Sequence, residues 1–437
     1  MQWIPNILFA IILFVGIYFF AKNVRKLIRN IKLGKEVDRS DNPSERWTNM
    51  ARIALGQSKM VRRPVSGVLH IVVYLGFIII NIEVLEIILD GLLGTHRVFL
   101  PVLGQSVYGF LIGTFEVLAL LVLVSVTVFW IRRNVMHIKR FLGKEMKGWP
   151  KNDGNNILYF EMVLMSLFLL MNATDDHFQH LATGNTISQY IAPFFENLSF
   201  GVVHAIERTA WWIHIVGILV FLNYLYYSKH LHILLAFPNT FFANLKPKGA
   251  FKNDPNVTKE VMMMMDPNAD PYAAPAEGED EVVATFGAKD VTDLSWVNLM
   301  NAYTCTECGR CTSNCPANLT GKELSPRKIM MDTRDRLEEV GKNIDANNGV
   351  FQDDGKNLFD YISKEEIWAC TSCNACVETC PVNIDPLEII MDMRRYLVME
   401  ESSAPTELNN MMQNVENNGA PWPYSQMDRL NWVDEEQ

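Results

Sequence analysis

The first 304 residues of this 437-residue chain contain no cysteine, and all eight cysteines lie between 305 and 380. That absence excludes a disulfide framework from the first part and confines thiol chemistry to one segment. The sequence also lacks a basic surplus. Its 39 Lys and Arg face 49 Asp and Glu, for a net charge of −10, which excludes the broad cationic face that nucleic acid requires. No positive stretch precedes the first apolar run. The positive charges follow it, in KNVRKLIRNIKLGK, so the run reads as an uncleaved anchor rather than a cleaved signal.

Long apolar runs are abundant. The stretches 3–22, 66–90, 106–131, 157–176 and 206–228 are each long enough to cross a bilayer, which takes about 20 residues. A soluble alternative requires five long buried helices with no polar face. Lys and Arg cluster between the first and second runs (Arg25, Lys26, Arg29, Lys32, Arg62, Arg63) and between the third and fourth (Arg132, Arg133, Lys139, Arg140, Lys144). The other two connections hold Arg97 and begin with Asp175 and Asp176. The positive-inside rule then puts the N-terminus outside a bacterial cytoplasmic membrane and the cysteine half in the cytoplasm, where thiols stay reduced.

Beyond the fifth run, LLAFPNTFFANLKPKGAFKND starts as a short interfacial helix. DPNADPYAAPAEGEDEVVATFG has no apolar period and reads as an acidic linker. Residues 1–235 form the membrane part, 236–290 the juxtamembrane segment and linker, 291–404 a compact domain, and 405–437 a tail set to contact a partner or the domain. The compact domain holds a repeat: CTECGRCTSNCP from Cys305 and CTSCNACVETCP from Cys370. After each comes a stretch with a helical apolar period, SPRKIMMDTRDRLEEVGKN with a Ser cap and DPLEIIMDMRRYLVMEE. The expected fold class is all-α: a five-helix transmembrane bundle followed by a cytoplasmic α-helical ferredoxin-like dicluster domain.

Two copies of C-x2-C-x2-C-x3-C-P point to cubane clusters. Three cysteines on one loop wrap three corners of a 4Fe–4S core, and the remote fourth cysteine ligates the other cluster. Cys305, Cys308, Cys311 and Cys380 are assigned to one cluster, and Cys370, Cys373, Cys376 and Cys315 to the second. Zinc prefers paired C-x2-C units with a longer gap, which this is not. No cysteine remains for covalent catalysis, so the chain reads as an electron carrier.

Ionisable groups in a span are functional candidates by default. His70 stands near the cytoplasmic start of the second run and His232 at the cytoplasmic end of the fifth. At one depth, they form an axial pair for haem b; no C-x-x-C-H exists, so the haem is not covalently attached. His214 precedes His232 by 18 residues, which on one helix is five turns and ~27 Å. It then lies on the same face near the outer surface and suits a second haem, with His177 as favoured partner among His177, His180, His204 and His96. His230 reads as interfacial. Glu83, Glu86, Glu116 and Glu161 line a quinone pocket or proton path, or else pair with Arg208 or helix hydroxyls.

RRPVSGVLHIVVYLGF and WWIHIVGILVFLNYLYYSKHLHI resemble the five-helix cytochrome b subunit of respiratory nitrate reductase and of membrane heterodisulfide reductase. In that family the fifth span bears two haem-ligating histidines at this separation, and the second span supplies both partners. Here the second run has only His70. The cysteine region is similar to the iron–sulfur subunit of heterodisulfide reductases and of glycolate- or lactate-linked oxidoreductases. In many fused relatives CCG domains follow. None follows here, so the resemblance implies a separate CCG-domain partner.

Together these readings imply electron transfer between a quinone (menaquinone or ubiquinone) and a cytoplasmic redox partner, through haem b and two 4Fe–4S clusters. By resemblance the donor is an electron-transferring flavoprotein or a hydroxyacid dehydrogenase. The alternatives are a haem-free membrane-anchored ferredoxin and a subunit of a heterodisulfide-type thiol–disulfide reductase.

Overall fold

The computed structural model describes residues 3–267 and 285–435. Among them there is no β-strand, only an isolated bridge between Lys35 and Ser295. The first part comprises α1 (Ile4–Ile31), α2 (Pro43–Met50), α3 (Pro64–Leu93), α4 (Phe99–Asn134), α5 (Trp149–Thr174), α6 (Asp176–Leu181) and α7 (Phe200–Tyr224). Five of these, α1, α3, α4, α5 and α7 with its following turn, are long and apolar enough to cross a membrane. The chain is a membrane protein with an all-helical fold.

The spanning helices close a ring. α1 packs on α3 and α7, α3 on α4, α4 on α5, and α5 on α7. Phe9, Tyr108, Ile112, Phe115, Phe168 and Trp211 fill its centre. Ile4, Ile7, Ile11, Phe14 and Tyr18 stay exposed along α1, which in lipid costs nothing because the tails are as apolar as the side chains. Close approach takes small residues. A Cβ on Gly91 would fall 2.6 Å from the Phe9 ring, and one on Gly76 would fall 2.4 Å from Val122. α4 carries a kink at Gly104, whose φ is 74°, so its regular stretch begins close to the expected residue 106.

The second part comprises α8 (His232–Phe241), α9 (Pro255–Met265), α10 (Trp296–Thr304), α11 (Pro316–Leu319), α12 (Pro326–Ala346), α13 (Lys364–Trp368), α14 (Ala375–Thr379), α15 (Pro386–Met399) and α16 (Thr406–Asn418). α8 is the expected short helix. Ser325 caps α12 and Asp385 caps α15, each with proline at the first position, as such a cap favours. The linker expected from the acidic stretch lies, from 268 to 284, outside the described residues. α16 buries none of its residues.

The two parts share a core. Leu27 of α1 and Leu231 pack into the same cluster as Leu294, Ile329, Leu337, Ile389 and Met393. α1 makes this possible by its length. Its 28 residues rise about 42 Å, beyond the ~30 Å hydrocarbon core. Its last turns reach the cysteine-bearing region, where Lys26 and Arg29 pair with Asp345 and Asn30 donates to the Tyr303 hydroxyl at 2.8 Å. The backbone then joins in, with Lys35 N–H donating to the Leu294 carbonyl at 2.8 Å and Trp296 N–H donating to the Lys35 carbonyl at 3.1 Å.

One expectation is corrected. His214 and His232 do not lie on one continuous helix. α7 ends at Tyr224, a turn of 3₁₀ helix follows, and Ser228 adopts extended backbone (φ −114°, ψ 147°). The Ser228 hydroxyl accepts from the His230 N–H at 3.1 Å, and Asp153 accepts from the Lys229 N–H at 3.1 Å. These side chains offer the backbone partners that end the helix. His232 therefore starts α8 instead of ending α7. His214 sits near the middle of the Phe200–Tyr227 span, not near its outer end.

Candidate functional site

The two cysteine loops repeat in backbone as well as sequence. Glu307 and Ser372, each just before the second cysteine, have φ of 53° and 57°; Gly309 and Asn374, each just after it, have φ of 70° and 59°. Left-handed residues at both positions fold the chain tightly around a centre. At Gly309 the space is also closed, since a Cβ would fall 2.5 Å from the Arg327 guanidinium. None of the eight cysteines is joined in a disulfide. Cys305, Cys308, Cys311 and Cys380 line one hollow, and Cys376 of the second loop lines it too. Cys315 lies in electrostatic range of Cys370 and Cys376. Burial pushes the Cys305 thiol up to about 12 and the Cys380 thiol up to about 11, and a bound metal reverses this because it takes the thiolate. Among the described residues, no three or more His, Cys, Asp or Glu side chains are grouped to hold a single metal ion. Backbone N–H groups reach the sulfurs: Ile384 to Cys380 at 3.3 Å and Ser372 to Cys370 at 3.4 Å. Of the eight, Cys373 is exposed.

The loop of Cys305 and Cys308 is bolted to the membrane helices. Glu307 is buried and pairs with Lys229, which also donates to the Pro150 carbonyl at 2.6 Å, and with Arg334 at 2.8 Å. Arg310 donates to the carbonyls of Lys59 and Met60 at 3.0 and 3.2 Å. Three residues beyond Lys229 stands His232, whose ring centre is 6.4 Å from that of His70. The His232 Nδ1 bonds the Lys229 carbonyl at 3.0 Å, whereas the buried Nδ1 of His70 has no partner.

The remaining histidines separate into groups. His230 is not simply interfacial: its ring lies 5.4 Å from His232, packs on Phe221, and stands 3.7 Å from Glu161. Buried His214 bonds the Leu164 carbonyl at 3.0 Å through Nδ1 and packs on Phe168. His177 packs on His96, with ring centres 5.7 Å apart; among the described residues no ring contact joins it to His214. His204 stacks on Phe200, and His180 is exposed beside Asp176. Arg208 pairs with its neighbour Glu207, not with the four acids read from the spans. Glu116 accepts from the Ile187 and Ser188 N–H groups at 2.7 and 3.0 Å, and Glu86 accepts from Phe99 N–H and the Tyr108 hydroxyl.

Residues 304–384 match the family of 4Fe-4S dicluster domains. This part of the chain is a 4Fe–4S dicluster domain. The chain is 28% identical to the "Probable iron-sulfur-binding oxidoreductase FadF" of Bacillus subtilis (strain 168), over 98% of this chain and 61% of the relative. It is 25% identical to the "EtfAB:quinone oxidoreductase" of Syntrophomonas wolfei, over 99% of this chain and 60% of the relative. Over 24% of this chain and 52% of the relative, it is 30% identical to one component of the "Ferredoxin/F(420)H(2)-dependent CoB-CoM heterodisulfide reductase" of Methanosarcina acetivorans. The chain thus spans about three-fifths of the length of the first two relatives. No solved structure gives a significant match. The dicluster domain carries two 4Fe–4S clusters, and the two long relatives are named as oxidoreductases, one of them iron–sulfur-binding.

Glu307 and Lys229 were not legible as site residues. A glutamate between two cysteines reads as a solvated loop residue, and a lysine after an apolar run reads as an interfacial charge. Their pairing joins positions 78 apart in sequence. Burial opposes ionisation of Glu307, but the Lys229 and Arg334 charges outweigh it and hold the carboxyl below its usual 4.5. A depressed carboxyl contributes stability that is complete above its unfolded value and is lost as pH falls through its folded one. Docking of the dicluster domain on the bundle is therefore expected to loosen only below about pH 4.5. Hydrogen exchange of the 305–311 loop, measured as pH is lowered, checks this; unchanged protection down to strong acid is the contrary result.

Proposed function

We propose that this chain passes electrons between a membrane quinone and a cytoplasmic redox partner, through haem b and the two 4Fe–4S clusters. The observation that carries the reading is the His70–His232 pair. An imidazole nitrogen binds a metal at about 2.0–2.1 Å. With roughly 1.1 Å from nitrogen to ring centre, two rings on one iron stand about 6.3 Å apart, against the 6.4 Å seen. The Nδ1 contact of His232 with a carbonyl leaves Nε2 as the ligating atom, as an outer partner does for metal-bound histidine. The unpartnered His70 Nδ1 fits a ring whose orientation a metal completes. A haem held there supplies one-electron chemistry. His214 is the candidate for a second haem, and His177 serves as its partner only by leaving its contact with His96.

The residues of the chain do the rest. Lys229 and Glu307 hold the Cys305 loop against the segment that bears His232, keeping the transfer distance short. Cys305, Cys308, Cys311 and Cys380 hold the nearer cluster, and Cys370, Cys373, Cys376 and Cys315 the farther one. Exposure of Cys373 favours the second cluster as the point where a partner docks. The relative named for EtfAB and quinone favours an electron-transferring flavoprotein on that side, in a bacterial cytoplasmic membrane with the dicluster domain in the cytoplasm.

The test is the reduced absorption spectrum of the purified membrane protein. A b-type α-band is expected, and His70→Ala is expected to remove the share of it that comes from the haem at this pair while leaving the EPR signals of both clusters. A haem-free preparation with intact clusters, or full haem content in the variant, overturns the ligand assignment.

A further inference from the structure

At the end of the bundle farthest from the dicluster domain, a hollow of about 30 Å³ lies between the helices. A water needs roughly 10–15 Å³ of such space, so about two fit. Glu83, Glu86, Asp90, His96, Asp175 and Glu207 line it. Most of these acids are paired. Glu86 accepts from Tyr108 at 3.0 Å, and Tyr108 accepts from Arg97 at 3.0 Å. Arg97 also donates to Asp175 at 2.8 Å and to Asn172 at 3.0 Å. Glu83 differs. It is 3% exposed, and its Oε2 has no partner. A buried polar atom left bare in a span is costly, and such a group in a membrane marks a proton or ion path.

The other end of the hollow reaches the surface. His96 is 44% exposed and its Nε2 lies 3.2 Å from Asp175. The charged and titratable groups around Glu83 are Glu86 and Asp90 on its own helix, His96 and Arg97 in the following loop, Glu116 on α4, Asp175 after α5, and Glu207 with Arg208 on α7. Arg97 does not release its proton, so it acts as a fixed counter-charge that lets the acids stand close.

We infer that Glu83 is the inner end of a proton path that runs through this hollow to Asp175 and His96 at the far face of the bundle. Its purpose rests on the quinone-linked reading: a quinol that loses two electrons also loses two protons, and the electrons leave toward the opposite end. The path itself does not depend on that reading.

The experiment is infrared difference spectroscopy of the full-length protein, with its clusters, in lipid. The bulk is stepped from alkaline to acid pH and then exchanged into D₂O. A carboxylic C=O band is expected to appear and to shift at once in D₂O. Glu83→Gln removes it and Glu83→Asp restores it, whereas Glu116→Gln, at a fully partnered acid, leaves it. Asp175→Asn slows its exchange by at least about tenfold. Where that buried variant does not fold, the exposed His96→Phe reads the same step. A band that persists in Glu83→Gln, or exchange unslowed in the variants that fold, overturns the path. No quinone is present, so loss of quinone activity with this band intact counts against the quinone reading alone.

Discussion

Replacing Cys380 by alanine is expected to halve the iron content and to remove the same cluster that Cys305→Ala removes. Cys380 closes the second motif in sequence, yet it lines one hollow with Cys305, Cys308 and Cys311, as Cys376 also does. If each motif built its own cluster, Cys380→Ala would instead spare the cluster of the first loop. The double variant separates the two arrangements. Cys305→Ala with Cys380→Ala is expected to be no worse than either alone, because both thiols hold one cluster. Cys370→Ala with Cys380→Ala is expected to lose both clusters, although these two cysteines share a motif. Iron analysis and EPR of the reduced protein read the outcome. Retention of half the iron in the Cys370/Cys380 variant refutes the crosswise assignment. The effect is large because thiolate–iron bonds are part of the folding energy.

The second large effect belongs to Lys229. Its ammonium and the Glu307 carboxylate are both buried where the dicluster domain meets the bundle. Lys229→Met keeps the volume and removes the charge, so Glu307 is left with Arg334 alone. Removing one partner of a buried pair costs about 3–5 kcal/mol. The expected result is a dicluster domain that protease releases from the membrane part and a lowered unfolding temperature in detergent. Adding Glu307→Gln is expected to recover part of the loss, since the buried carboxylate that has lost one of its two cations is then gone. A Lys229→Met protein as resistant to protease as the native one shows that the shared core alone holds the halves together. Leu27 and Leu231 in that core make this a real competitor.

Much of the chain is legible in its residues alone. The five spans follow from apolar length, and each appears as a helix. The helix starts at Ser325 and Asp385 follow from local capping chemistry. The cluster motifs need only spacing, because a cubane demands three close thiolates. These are short-range properties, carried by residues within a few turns of one another. Where fold and expectation part, a distant residue intervenes. WWIHIVGILVFLNYLYYSKHLH has the composition of one helix, and its periodicity places His214 and His232 on one face. Ser228 and Asp153 break that helix, and Asp153 comes from another span.

The sequence by itself determined that this is a membrane protein with a dicluster domain, because bilayer thickness and cubane geometry leave few other uses for such patterns. Only the tertiary structure decided that the domain is not a tethered bead but an extension of α1 and of the bundle core. It also decided that His232 stands at the start of a new helix beside His70, that Lys229 meets Glu307, and that one carboxylate oxygen of Glu83 is buried in the bundle without a hydrogen-bond partner. Each of these depends on which side chains from remote segments meet in a low-dielectric interior. There a single missing or supplied partner is worth more than the local preference of the chain.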